Sequence, residues 1–294
     1  MKRFWKKTAF FTIIALIVFS LVASSGTKNK IFSQNIRNPE SCIVAGSFNK
    51  QNQFNQLCTS TLHNISTPTP QTTPTLIPNL ILTNKERFLA AITGKLIAIP
   101  QPGTYEYILL RAYGSAFVNH NPEVQLPSKV VFSDEKETKE FQSTLNMGKV
   151  NGTNNCYLQK AAADALNQAK AQVNIPLKSG YGDSDCTRTF ATNQRFWRKY
   201  ANNKTLARVQ QGQETKILGT VAPPGSSQHL WGLAIDLRVA SEAQRQALNQ
   251  NGWFRTVEYD IPHWTYIGYP LDKLGDLGFE NKVISGVSYW LTPL

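Results

Sequence analysis

Two histidines and two aspartates in this chain are spaced so that they can do chemistry together. Residues 223–239, Pro-Pro-Gly-Ser-Ser-Gln-His-Leu-Trp-Gly-Leu-Ala-Ile-Asp-Leu-Arg-Val, carry His229 and Asp236. Residues 259–268, Tyr-Asp-Ile-Pro-His-Trp-Thr-Tyr-Ile-Gly, carry Asp260 and His263. The chain has 4 histidines; His63 falls in a Thr/Pro-rich stretch and His120 in an Asn-rich one. Two imidazoles and a carboxylate form a donor set that zinc accepts, and three protein ligands leave its fourth position open, as catalytic sites require. Asp260 precedes His263 by three residues, with Pro262 fixing the bend. A carboxylate there is placed to take a proton from water and pass it to a leaving amine. Taken singly, each residue has a plainer reading. A strand-end histidine is more often hydrogen-bonded structure than a ligand. Asp236 alone reads equally well as an ion-pair partner of Arg238 or a turn former, and Asp260 as a cap or turn aspartate. Only their joint spacing favours a metal.

That spacing resembles a known family. Ser227-Gln-His229-Leu-Trp-Gly232-Leu-Ala234-Ile-Asp236 matches the S-x-H-x-x-G-x-A-x-D signature of the VanY-like D-alanyl-D-alanine carboxypeptidases. Their wider group of zinc peptidases includes L-alanyl-D-glutamate endopeptidases, and the hedgehog signalling domain resembles the same fold. The resemblance implies Zn2+ on His229, Asp236 and His263, with Asp260 as the acid–base group. Ser179-Gly180-Tyr181, followed after an insertion by Arg188-Thr189-Phe190 and Gln194, looks like the family's Ser-Gly-Tyr-Arg-Ser-x-x-x-Gln stretch. By that match Arg188 polarises the scissile carbonyl and stabilises its oxyanion, and Gln194 belongs to the substrate side. Ser227 is expected to orient His229 or a substrate carboxylate. Trp231, Trp264 and Tyr266 are candidates to line the cleft, although buried aromatics are more often core. The chain departs from the carboxypeptidase pattern at Asp260, where that branch shows glutamate; the endopeptidase branch commonly shows Asp-x-Pro-His. Cys186 sits in the insertion, two residues before Arg188, and a bond from it to Cys156 would pin the arginine's loop. Its loss is expected to lower activity more than zinc content.

The elements that position these residues follow from periodicity. From Gly232 onward, Leu233, Ile235, Leu237 and Val239 alternate with Ala234, Asp236 and Arg238 as a strand, with Asp236 on the face away from the core. His263, Thr265 and Ile267 alternate with Trp264 and Tyr266 as a second strand beside it. Asn84 is the expected cap of a first helix that Gly94 stops. Residues 95–99 and 104–110 read as strands around Pro102-Gly103. Ser133 is expected to cap a helix ending at Gly148, and further helices are predicted near 157–173 and 191–202. Ser241-x-x-Gln244 is a capping box opening a helix that Asn251-Gly252 ends. Helices and short strands mix without βαβ regularity. The expected fold is α+β, an antiparallel sheet flanked by helices, of the hedgehog/D,D-peptidase-like zinc peptidase type that the resemblance implies.

Composition bounds the setting. Apolar residues make up 41% of 294, enough for a real core, and the net charge is +12. A basic balance favours anionic partners such as a cell wall, acidic lipid or nucleic acid; no arginine-rich run or zinc-finger spacing supports nucleic acid. Basic residues 1–7, an apolar run at 8–23 and small residues at 24–26 have the order of a secretory signal. The run is short for a spanning helix, so residues 1–25 are read as a signal peptide or an N-terminal membrane anchor. Residues 26–83, with Ser-Thr-Pro-Thr-Pro at 66–70, read as a tether, and 84–294 as the zinc peptidase domain. The 4 cysteines suit an oxidising compartment, periplasm or cell envelope. Three pairings are possible, of which Cys42–Cys58 with Cys156–Cys186 keeps each bond within one segment. The expected partner is a peptidoglycan stem peptide, the expected state a monomer, with membrane contact only through the N-terminal segment. Rival readings are an endopeptidase with the same machinery, a non-catalytic zinc-bearing wall-binding module, and a nuclease suggested by charge alone.

Overall fold

The computed structural model describes residues 81–180, 182 and 184–294. The expected leader, most of the tether and the Cys42–Cys58 pairing lie outside the described residues. Helix α1 spans Asn84–Ile92 and buries Phe88 and Ile92. Its cap is Thr83 rather than Asn84: the Thr83 hydroxyl accepts from the Glu86 amide, and the Glu86 carboxylate accepts from the Thr83 amide. A hydroxyl one residue earlier completes a capping box that Asn84 cannot make.

Residues 104–110 are not a strand. They open helix α2, Tyr105–Tyr113, capped by Thr104, with Glu106 in the first turn and Arg111 in the last. The aromatic and β-branched composition favoured a strand, but Ile108, Leu109 and Tyr113 fall on one buried helical stripe, and packing outweighs propensity. Residues 95–99 are turns and bends with Ile97 exposed. Helix α3, Glu135–Ser143, is capped by Asp134 instead of Ser133. Strands β1 (Met147–Lys149) and β2 (Tyr157–Gln159) pair antiparallel, so the following helix α4 starts at Lys160 and runs to Gln172. Helix α5 covers Phe190–Tyr200; α6, Asn203–Gln210, was not anticipated.

The central sheet is antiparallel, in the order β3 (Ala234–Asp236), β5 (His263–Tyr266), β4 (Trp253–Phe254). Helix α7, Glu242–Gln250, opens with the expected Ser241–Gln244 capping box and packs against α4. A final hairpin pairs β6 (Glu280–Ile284) with β7 (Val287–Leu291). With seven α-helices and small antiparallel sheets among the described residues, the fold is α+β. No helix among them is long and apolar enough to cross a membrane. Both faces of β3 are covered: Leu233, Ile235 and Leu237 are buried, and so are Ala234 and Asp236. The open face expected for Asp236 is therefore the floor of a recess.

Candidate metal centre

Antiparallel pairing of β3 with β5 sets Asp236 opposite His263. The third residue comes from a single 3-10 turn, Gln228–Trp231, that precedes β3. The turn ends at Gly232 in the left-handed region at φ 67, and a β-carbon there would also crowd the Gln159 amide and the Thr187 hydroxyl. Glycine allows the chain to leave the turn and enter β3 at once, which swings His229 over the strand end. The candidate ligand atoms of His229, Asp236 and His263 all lie within 4.8 Å of one another, and all three residues are buried. His229 Nε2 stands 3.2 Å from His263 Nδ1. Asp236 Oδ1 is 3.4 Å from the first and 3.7 Å from the second.

The partners behind the rings decide what those atoms offer. His229 Nδ1 lies 2.8 Å from the Cys186 carbonyl, which only accepts, so Nδ1 carries the proton and Nε2 a lone pair. His263 Nε2 lies 2.8 Å from Gln228 Oε1, an acceptor, so its Nδ1 is likewise a lone pair. Two nitrogen lone pairs and a carboxylate oxygen thus converge with no proton between the rings, an arrangement that a cation relieves. Nitrogens bound tetrahedrally to zinc at ~2.0–2.1 Å sit roughly 3.3 Å apart. The 3.2 Å between the two ring nitrogens matches that spacing. The donor set fits zinc.

Electrostatics support the same charge states. Burial, then the Arg188 charge, pushes the His229 pKa down to about 3, so the ring is neutral near pH 7. Burial works to raise Asp236, but it is held well below the usual carboxylate range, with the Arg188 charge and its hydrogen bond to Oδ2 acting in that direction. Arg188 Nη2 donates to Asp236 Oδ2 at 2.6 Å, leaving Oδ1 toward the histidines. The arginine is fixed on two further sides: Nε donates to the Ser184 carbonyl at 2.6 Å, and the guanidinium lies 4.7 Å from the Phe196 ring centre. Arg188, not Arg238, is the ion-pair partner of Asp236; Arg238 is exposed and donates to the Lys178 carbonyl.

The loop that carries Arg188 is anchored along β3. The Asp236 amide donates to the Asp185 carbonyl, and the Lys178 amide donates to the Asp236 carbonyl. A disulfide joins Cys156 to Cys186. The carbonyl that orients His229 therefore belongs to a residue covalently tied to the body of the fold.

Asp260 borders the same cleft, a cavity of about 320 Å³ also lined by Arg188, Ser227, His229, Asp236 and His263. Burial raises its pKa to about 6, only partly offset by the neighbouring His263. The remaining expected site residues lie elsewhere. Trp231 is buried and packs 5.1 Å from the Phe117 ring; Trp264 is buried under the Arg255 guanidinium. Tyr266 packs on Trp253. None of the three lines the cleft, because inward positions on these strands and turns are taken up by the core. Gln194 also misses it. Its neighbour Asn193 turns inward instead, donating to the Ala222 carbonyl and accepting from the Gly225 amide. Lys178, Lys199 and Tyr113 line the cleft without having been singled out in the sequence. Gln228 occupies an unspecified position of the signature, and the Cys186 contact uses a backbone carbonyl, which no residue type announces.

Comparison with known proteins bears on this geometry. Residues 155–278 match the family model described as D-alanyl-D-alanine carboxypeptidase, VanY. The match spans Arg188, the 227–236 signature, Asp260 and His263, so the family resemblance carried by the signature holds. Among solved structures, the vancomycin-resistance D,D-dipeptidase VanXYg in complex with a D-Ala-D-Ala phosphinate analogue is similar at 18% identity and a TM-score of 0.29. The alignment covers 41% of this chain and 54% of that one, so the chain spans about half the length of that relative. No curated protein sequence matches the chain.

Proposed function

We propose that this protein is a zinc peptidase of peptidoglycan stem peptides, most concretely a D-alanyl-D-alanine carboxypeptidase. The observation that carries the reading is the convergence of three buried lone-pair donors at one edge of a cleft that Asp260 and Arg188 also border. Held by His229, Asp236 and His263, zinc supplies the Lewis acidity that activates water and polarises a carbonyl. Asp260 receives the proton of the attacking water and returns it to the departing amine. Its raised pKa suits both steps, since the group is ionised near pH 7 and still basic enough to hold a proton in passing. Arg188 donates to Asp236 Oδ2, and in this reading its charge also stabilises the carbonyl oxygen as negative charge develops there. Ser227 lines the same cleft, and in this reading it orients His229 or a substrate carboxylate.

In this reading residues 1–25 export the chain or anchor it, residues 26–83 tether it, and residues 84–294 act as a monomeric catalytic domain in the cell envelope. The basic balance suits an anionic wall; nucleic acid has no place in it. A second reading, an L-alanyl-D-glutamate type endopeptidase, is favoured by Asp260-Ile-Pro262-His263, which follows that branch's pattern. Mass spectrometry of defined pentapeptide muropeptides, with and without a chelator, separates the two. Chelator-sensitive release of free D-alanine supports the carboxypeptidase, and an internal cut supports the endopeptidase. Zinc-loaded protein that leaves every substrate intact refutes both.

A further inference from the structure

Behind His263 lies a closed cycle of hydrogen bonds, and we propose that through it Gln228 acts as the positioning residue that fixes the tautomer of His263 and so its strength as a metal ligand. The inference rests on the metal site proposed above and deepens it. Gln228 Nε2 donates to the Tyr113 carbonyl at 2.6 Å and to Ser115 Oγ at 2.9 Å. Ser115 Oγ donates to Thr256 Oγ1 at 2.8 Å, and Thr256 and Thr265 share a bond of 2.8 Å. Thr265 Oγ1 donates back to Gln228 Oε1 at 2.8 Å. All four residues are buried, Gln228 and Thr265 completely.

The direction of this cycle is forced. A backbone carbonyl only accepts, so the amide nitrogen of Gln228, not its oxygen, must face Tyr113. Each hydroxyl accepts once and donates once, which sends the protons from Gln228 through Ser115, Thr256 and Thr265 to Oε1. The reverse direction fails, because it would require Oε1 to donate. Oε1 has two lone pairs; Thr265 takes one, and His263 Nε2–H takes the other at 2.8 Å. His263 is then left with its Nδ1 lone pair facing His229 and Asp236. The residues come from the turn after α2, the signature turn, the loop after β4, and β5, so the cycle ties the ligand's tautomer to the packing of four segments. Partners behind a ligating histidine are typically worth about 10–100-fold in metal affinity.

The first measurement uses the full, unaltered, metal-free chain: imidazole ¹⁵N shifts above neutral pH, expected to show the His263 proton on Nε2. The second is zinc affinity by competition with a chromogenic chelator. Gln228→Leu is expected to weaken zinc about 10–100-fold and to let the proton of His263 redistribute between its nitrogens. Thr265→Val leaves the amide anchored on Tyr113, and is expected to keep the Nε2–H form with a loss of about threefold or less. A proton on Nδ1 in the unaltered protein overturns the proposal, as does a folded Gln228→Leu protein with unchanged zinc affinity. Should that variant not fold, the tautomer of the unaltered chain decides alone. Neither measurement involves peptidoglycan. A failure of the cycle would leave substrate cleavage untouched, and a failure of the hydrolase reading would leave the tautomer untouched.

Discussion

Asp236 and Asp260 face one cleft under opposite electrostatics. Asp236 is held below the ordinary carboxylate range and stays ionised, whereas burial lifts Asp260 to about 6. A raised carboxyl contributes stability below its unfolded value near 4, and that contribution is lost as the pH rises through 6. Asp260→Asn should therefore stabilise the metal-free protein at pH 7, by about 2 kcal/mol given its partial exposure, while leaving it unchanged near pH 3. Urea denaturation at the two pH values measures this, and equal stability at pH 7 would mean the carboxyl is not held at a cost. The same substitution should lower kcat by about 10²–10⁴ with zinc content unchanged. In the intact enzyme the rate should fall as the pH drops through about 6 or below, since a bound cation can only move that limb down. For Arg188, substitution by Met strips Asp236 Oδ2 of its partner inside the protein. We expect a loss of about 10²–10³ in kcat together with weaker zinc retention, and little rescue by Lys, which cannot match the planar fork that holds Ser184 and Asp236 at once. Part of this scale was legible in the sequence: His229, Asp236 and His263, grouped there by their spacing, have candidate ligand atoms within 4.8 Å of one another. Gln228 and the Cys186 carbonyl were not, because hydrogen-bond acceptors behind a ring leave no periodic or compositional trace.

At the scale of elements, strand pairing and one covalent link govern the site. From the sequence, loss of Cys186 is expected to lower activity more than zinc content, by freeing the Arg188 loop. The Cys186 carbonyl sits on His229, so the consequence changes. Cys156→Ala with Cys186→Ala, or reduction, should lower zinc affinity and activity together, and cost about 3 kcal/mol of stability. Chelator competition and thermal melts on the reduced and oxidised protein test this; unchanged zinc affinity after full reduction would show that the β3 hydrogen bonds hold the loop unaided. Elements with strong local chemistry were readable: the α7 capping box, the alanine-rich face of α4 and the alternation at 233–237. Helix α2 was not, since Tyr, Ile and Leu at 105–110 favour strands until a core is present to bury their helical stripe. On its β5 side the β3 ladder stops where the Leu237 amide donates to the Pro262 carbonyl, because Pro262 has no N–H to return, while the other edge of residues 236–238 pairs with residues 176–178.

At the scale of the whole chain, the surplus of Lys and Arg, 31 against 19 acidic residues, is not accounted for by the small buried site proposed above for a peptide, but suits a polymer carrying many negative charges. Attraction between such a surface and a wall acts over the Debye length, about 10 Å at 0.1 M salt and about 3 Å at 1 M. Chemistry inside the cleft is screened far less, because its charges are buried and paired at contact distance. Raising salt from about 0.05 M to about 0.5 M should therefore slow hydrolysis of intact sacculi several-fold, through KM, while kcat on a soluble stem pentapeptide stays within about twofold. Paired initial-rate measurements on the two substrates across the salt range read the contrast directly. Equal salt dependence on both would place the charge effect at the site rather than on the surface, and the basic balance would then carry no information about the partner.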